Sequence, residues 1–136
     1  MTKIIWSEEM SVGVETLDAD HKELIRLINR LADDDVRRNH TSLGEVVNKL
    51  MDYVAYHFER EEVFLSEKGY PALEHHAELH EGMNKYVGDL IRSRRAAFQG
   101  PPGKEIHDYL AEWLRNHILI EDMKYAKWLK AGASSA

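Results

Sequence analysis

The sequence predicts an all-α fold: an antiparallel up-down-up-down four-helix bundle with an extended N-terminal arm and a distorted or broken C-terminal helix. Three observations lead there. Apolar residues recur at the i, i+3, i+4, i+7 spacing of a buried helix face in four long segments. Short breaks containing Asn, Gly or Pro separate those segments. The 136 residues contain no linker long enough to divide them, so residues 1–136 form one domain around one core.

Composition removes several classes of function. A net charge of −6 disfavours nucleic acid and anionic membrane surfaces as partners. No apolar run approaches the 18 or so residues of a membrane span, and the first residues are too short for a signal peptide, which fits the cytoplasm. Cysteine is absent, which excludes disulfides, thiol nucleophiles and cysteine-ligated zinc or iron–sulfur sites. Histidine is abundant, with eight copies.

The elements follow in order. Residues 1–17 carry Gly13 and β-branched residues without a helical period, and read as an arm packing through Ile4, Ile5, Trp6, Val12, Val14 and Leu17. Asp18 or Asp20 can cap a first helix reaching about residue 38, with His21, Leu24, Ile25, Ile28 and Leu31 on its buried stripe; Asp20, beside His21, could instead support a buried histidine from behind, though a cap is the preferred reading. Ser42 and Glu45 form a candidate capping box for a second helix to about residue 67, whose stripe holds Leu50, Val54, His57, Glu61 and Leu65, with Arg60 and Glu62 facing water. Gly69 and Pro71 stop that helix and start a third, residues 71–98, bearing His76, His80, Met83 and Val87. Residues 99–103 are the clearest break, and the fourth helix follows with Ile106, Leu110, Leu114, His117 and Ile118. Residues 131–136 read as a loose tail.

All four stripes carry inward polar groups. Residues four apart share a helix face, so His57 projects with Glu61 and His76 with His80. In an antiparallel bundle the start of the first helix, the end of the second, the start of the third and the later half of the fourth adjoin. His21, His57, Glu61, His76, His80 and His117 therefore fall in one layer. Burying them without a partner would cost several kcal/mol, about what one unsatisfied polar group or more loses. A shared metal resolves that cost.

Asp122 lies five residues past His117, about 140° around a regular helix. Either it is not a ligand or the helix is distorted between the two; the sequence predicts the distortion. Five histidines and two carboxylates exceed the needs of one tetrahedral zinc and suit two octahedral first-row metals, iron foremost. His40, His75 and His107 lie outside this set.

These residues resemble the bacterial hemerythrins over nearly the whole chain. The resemblance is carried by Trp6, Ser11-Val12-Gly13-Val14, Leu17-Asp18-Ala19-Asp20-His21, His57-Phe58 with Glu61-Glu62, His76 and His80, Trp113-Leu114-Arg115-Asn116-His117-Ile118, and Asp122 with Tyr125. It implies a non-haem di-iron site binding O2 reversibly. One iron would be held by His76, His80 and His117 and the other by His21 and His57. Glu61, Asp122 and an oxo or hydroxo group would bridge them. Trp113, Leu114, Phe58 and Ile118 would wall the O2 pocket, and Tyr125 would support Asp122 from behind. The implied role is oxygen storage, delivery or buffering, with any O2-consuming protein partner unidentified; no long apolar outer face argues for assembly, so a monomer is expected. A peroxidase-like or iron-oxidising enzyme and an O2- or iron-sensing domain are the alternatives. The imidazole-rich ligand set weighs against the enzyme.

Overall fold

The structure is a computed structural model describing the backbone of residues 3–135 and the side chains of residues 3–132. After a 3-10 turn at Glu8–Met10 come α1 (Glu15–Arg30), α2 (Asp34–Arg37), α3 (His40–Lys68), α4 (Leu73–Ala96) and α5 (Gly103–Asn116). A π-helical segment, His117–Asp122, then joins α5 to α6 (Met123–Ser135). The described residues contain no strand. Helices α1, α3, α4 and the interrupted run α5–α6 are the four members of the bundle.

The arm is tied down by side chains reading backbone. Asn29 accepts from Ile4 N–H at 2.8 Å and donates to Ile4 C=O at 2.8 Å. Asp18 accepts from the Ser11 hydroxyl at 2.6 Å and from Val12 N–H at 2.8 Å. Asp18 therefore fastens the arm instead of capping α1, whose N-cap position is Val14, and the arm ends there, three residues earlier than expected. Ile4 is buried but Ile5 is 82% exposed, against the expectation that both pack. Successive side chains of an extended chain point to opposite sides, so only one of the pair can face the bundle.

The first helix stops at Arg30, not near residue 38. Asp33 adopts an extended backbone, and its carboxylate takes Lys3 Nζ at 2.7 Å and Arg30 Nη1 at 2.8 Å. These local contacts compete with helix continuation through the Asp33-Asp34-Asp35 run. The short α2 then buries Val36. Asn39, not Ser42, caps α3, its side chain accepting from Thr41 N–H at 2.9 Å and Ser42 N–H at 3.1 Å. Gly69 ends α3 at φ 74°, the left-handed exit that favours glycine. Pro71 lies in the turn that follows, so α4 is shorter than expected at both ends. At the start of α5, a Cβ on Gly103 would sit 2.5 Å from Leu43 Cδ1, so glycine permits the close approach of α5 to α3. From residue 131 the backbone continues helically through Ser135 where a loose tail was expected, and Ala136 lies outside the described residues.

The core has two parts. The larger includes Leu24, Val54, Phe58, Met83, Leu110, Leu114 and Ile118. The smaller joins Val12, Leu17, Leu65, Tyr70, Tyr125 and Ala126. Along each bundle member the chain passes from one to the other through polar residues: Leu17, His21, Leu24; Phe58, Glu61, Leu65; Leu73, His76, His80, Met83; Ile118, Asp122, Tyr125. A polar layer thus crosses the bundle near one end.

Candidate metal centre

Each bundle member supplies this layer from a particular part of its length. His21 comes from the second turn of α1, and His57 and Glu61 from one face of α3. His76 and His80 lie in the first two turns of α4, and His117 and Asp122 bound the π segment. All seven are buried, at most 6% exposed. A π turn closes i to i+5, which brings residues five apart onto one face. His117 Nε2 consequently stands 3.1 Å from Asp122 Oδ1.

The carboxylates divide the imidazoles into two groups. Glu61 Oε1 lies 2.6 Å from His76 Nε2 and 3.2 Å from His80 Nε2. Its other oxygen, Oε2, lies 3.2 Å from His57 Nε2 and 3.4 Å from His21 Nε2. Asp122 repeats the division. Its Oδ1 is 3.1 Å from both His76 and His117, and its Oδ2 is 3.2 Å from His21. Two donor clusters result, Glu61 with His76, His80 and His117, and Glu61 with His21 and His57, each with its ligand atoms within 4.8 Å of one another.

Several of these close atoms are not hydrogen-bonded. His21 Nε2 and both Asp122 oxygens are buried without a hydrogen-bond partner despite their short separations. Buried polar atoms are rarely left so. Lone pairs converging at such distances without hydrogen-bond alignment are what donors around a common cation present.

The electrostatics favour a cation as well. Burial pushes Glu61 toward the neutral acid, but His21, His57, His76 and His80 outweigh it and hold the carboxyl well below its usual range. Burial and the like charge of Glu61 oppose ionisation of Asp122, yet His117 and His21 lower its pKa. Burial also disfavours charge on His21 and His76. The Asp122 and Glu61 carboxylates overcome that, raising His21 to about 10 and His76 to about 9. The layer thus stabilises positive charge, which metal ions supply in place of protons. The donors, imidazole and carboxylate without thiolate, suit first-row transition metals.

Beside the layer lies a narrow apolar cavity of about 10 Å³, at the lower limit for one water-sized molecule. Phe58, Trp113 and Leu114 line it with Leu24, Val54 and Met83. Ile118 is fully buried in the larger core but does not line this cavity. Two of the wall rings also clamp imidazoles. Phe58 stacks on His80 with centroids 3.7 Å apart, and Trp113 on His117 at 4.3 Å.

The surroundings of the layer differ from expectation in several places. The Tyr125 hydroxyl donates to Glu61 Oε2 at 3.1 Å, not to Asp122. Asp20 is no helix cap: it is buried within α1, 3.0 Å from His57 Nδ1. Neither Arg60 nor Glu62 merely faces water. Arg60 Nε is 3.2 Å from Asp20, and Glu62 Oε2 is 2.9 Å from His80 Nδ1. A signal for the Asp20 contacts was present, since Tyr53, His57 and Arg60 follow i, i+4, i+7 on one face of α3. His75 is exposed, and His40 begins α3 at the surface. His107 is buried outside the layer, with Nδ1 3.0 Å from Asp108.

Comparison with known proteins agrees with this geometry. The family described as the hemerythrin HHE cation binding domain matches residues 12–129. The chain belongs to the hemerythrin family. It is 32% identical over 135 residues to a bacteriohemerythrin of Stenotrophomonas maltophilia (strain R551-3), covering 96% of this chain and 84% of that protein. A bacteriohemerythrin of Pseudomonas aeruginosa (strain LESB58) is 31% identical over 127 residues, covering 92% and 80%. A crystal structure of wild-type hemerythrin superimposes with a TM-score of 0.82 at 26% identity, covering 93% of this chain and 97% of that one. The hemerythrin four-helix bundle is therefore the fold of this chain. Like the sequence, the structure offers no helix among the described residues long and apolar enough to cross a membrane.

Proposed function

We propose that this hemerythrin-family chain holds two iron ions and binds O2 reversibly, for oxygen storage, delivery or buffering. The observation that carries the reading is the division of Glu61 and Asp122, each offering one oxygen to either group of imidazoles. Two carboxylates so placed could each bridge a pair of metal ions. His76, His80 and His117 would hold one iron, His21 and His57 the other, with an oxo or hydroxo bridge between them. By the count of donors, the three-histidine position would be filled and the two-histidine position would keep one place free for O2. Iron supplies the reversible electron transfer that lets O2 be held and released.

The protein's own share is to orient and to insulate. Tyr125 donates to Glu61 and so fixes one bridge. Trp113, Leu114 and Phe58 give the adjoining cavity an apolar wall, and no side chain lining it titrates. With no acid or base there to deliver or remove protons, the wall supports holding O2 over turning it over. The matched hemerythrins and bacteriohemerythrins carry names consistent with this reading.

The test is spectroscopic. Protein loaded anaerobically with two Fe(II) per chain and then exposed to O2 should develop a visible charge-transfer band that disappears under vacuum and returns with O2. Irreversible bleaching together with rapid consumption of added peroxide would instead establish an enzyme. Failure to bind iron at all would reject both.

A further inference from the structure

We propose that Asp20 is the positioning residue for the two-histidine half of the site: its carboxylate holds His57 with the proton on Nδ1 and the lone pair of Nε2 toward the metal position. The inference rests on the di-iron reading above. Asp20 is 3% exposed, and its Oδ2 lies 3.0 Å from His57 Nδ1. An ionised carboxylate only accepts, so the shared proton sits on the imidazole Nδ1 and Nε2 is left to ligate. That Nε2 stands 3.2 Å from the bridging oxygen of Glu61.

The carboxylate is itself held. Tyr53 donates its hydroxyl to Asp20 Oδ1 at 2.8 Å, and Arg60 Nε stands 3.2 Å from Oδ2. Tyr53, His57 and Arg60 share one face of α3, and α1 lays Asp20 across all three. Residues adjacent on a helix diverge by about 100°. Hence α1 presents His21 to the metal position and Asp20 to the back of the next ligand, His57. His21 has no equivalent support, for its Nδ1 is buried without a hydrogen-bond partner. Orientation of this half therefore depends on Asp20. The other half has a separate support, Glu62 on His80 Nδ1, whose side chain is 35% exposed. A carboxylate so exposed is screened by solvent and orients its partner less firmly than Asp20, which is itself buried and held by Tyr53 and Arg60.

Removing such an outer partner typically lowers metal affinity 10- to 100-fold. Anaerobic titration of the full chain with Fe(II) tests this. The wild-type chain should bind two Fe(II), and Asp20→Ala should weaken one of the two steps about 10- to 100-fold while leaving the other unchanged. Tyr53→Phe should give a smaller loss in the same step, and Glu62→Gln should affect the opposite one. A second readout does not depend on iron chemistry. In zinc-loaded protein, proton NMR should show a downfield, slowly exchanging His57 Nδ1–H that Asp20→Ala abolishes. If Asp20→Ala does not fold, Asp20→Leu, which keeps the branched shape without an acceptor, carries both measurements. Two equal wild-type steps in the Asp20 variants, or a retained Nδ1–H resonance, would overturn the inference while leaving the di-iron reading intact. A wild-type chain binding fewer than two Fe(II) would overturn that reading and this inference with it.

Discussion

His117 and Asp122 are five residues apart, yet His117 Nε2 lies 3.1 Å from Asp122 Oδ1. A regular α-helix would hold them about 140° apart. The π segment between them removes that angle, and both flanking helices keep their apolar faces inward, Leu110 and Leu114 before it and Tyr125 and Ala126 after it. Asp122→Ala should remove the second carboxylate joining the two donor groups. We expect the affinity for the second Fe(II) to fall by more than about 100-fold, beyond the loss typical of an outer partner, as read by anaerobic titration. Full two-iron binding in this variant would show that Glu61 alone bridges.

Leu114 is 5% exposed and lines the cavity beside the polar layer. Leu114→Ala should retain iron, because no ligand changes. It should lower stability by about 2–5 kcal/mol, as buried leucine truncations do, and speed the irreversible oxidation of iron in air by admitting water. Urea unfolding and the decay of the O2-bound spectrum measure the two effects. An unchanged decay would reduce Leu114 to packing alone.

The pH dependence of the metal-free chain follows from its imidazoles and carboxylates. His21 and His76 have pKa values of about 10 and about 9 when folded, above the ordinary 6.5. The stability they contribute is fully present below pH 6.5 and is lost as pH rises through 9 to 10. Glu61 and Asp122 are depressed, so their contribution is present above the ordinary carboxylate range and lost as pH falls through their lowered values. The metal-free chain should thus be most stable between about pH 4.5 and 6.5, and its urea midpoint should fall steadily between about pH 7 and 10. Iron binding should strengthen over the neutral range, since the metal displaces those protons. A midpoint that rises toward pH 10 would contradict this.

Asn29 makes both of its hydrogen bonds to the backbone of Ile4. Asn29→Ala should cost about 1–2 kcal/mol for the pair and expose the arm first. Hydrogen exchange should quicken at the Ile4 amide well before it changes in α3. Protection of that amide equal to wild type would show that burial of Ile4 suffices to hold the arm.

Local chain chemistry was legible without coordinates: four amphipathic helices, the left-handed exit at Gly69 and the irregular helix after His117. Depth was legible too, because antiparallel connection places His21, His57, His76 and His117 at one level once their positions along each helix are known. Boundaries were less so. The three aspartates that follow the first helix could have continued it as a solvated helical face. Only Lys3, brought back by the arm, and Arg30 show that Asp33 has a competing partner.

The sequence by itself determined which faces turn inward and at what height each polar group enters the core, since both follow from the fixed rise and turn of a helix. Tertiary structure decided what those groups meet. That Glu61 offers Oε1 to two imidazoles and Oε2 to two others depends on how α1, α3 and α4 are rotated against one another. The same holds for Asp20 behind His57, Tyr125 on Glu61 and Phe58 on His80. Periodicity along one helix records its own apolar face; the position of an atom on a neighbouring helix is set by packing across the core, which no single segment encodes.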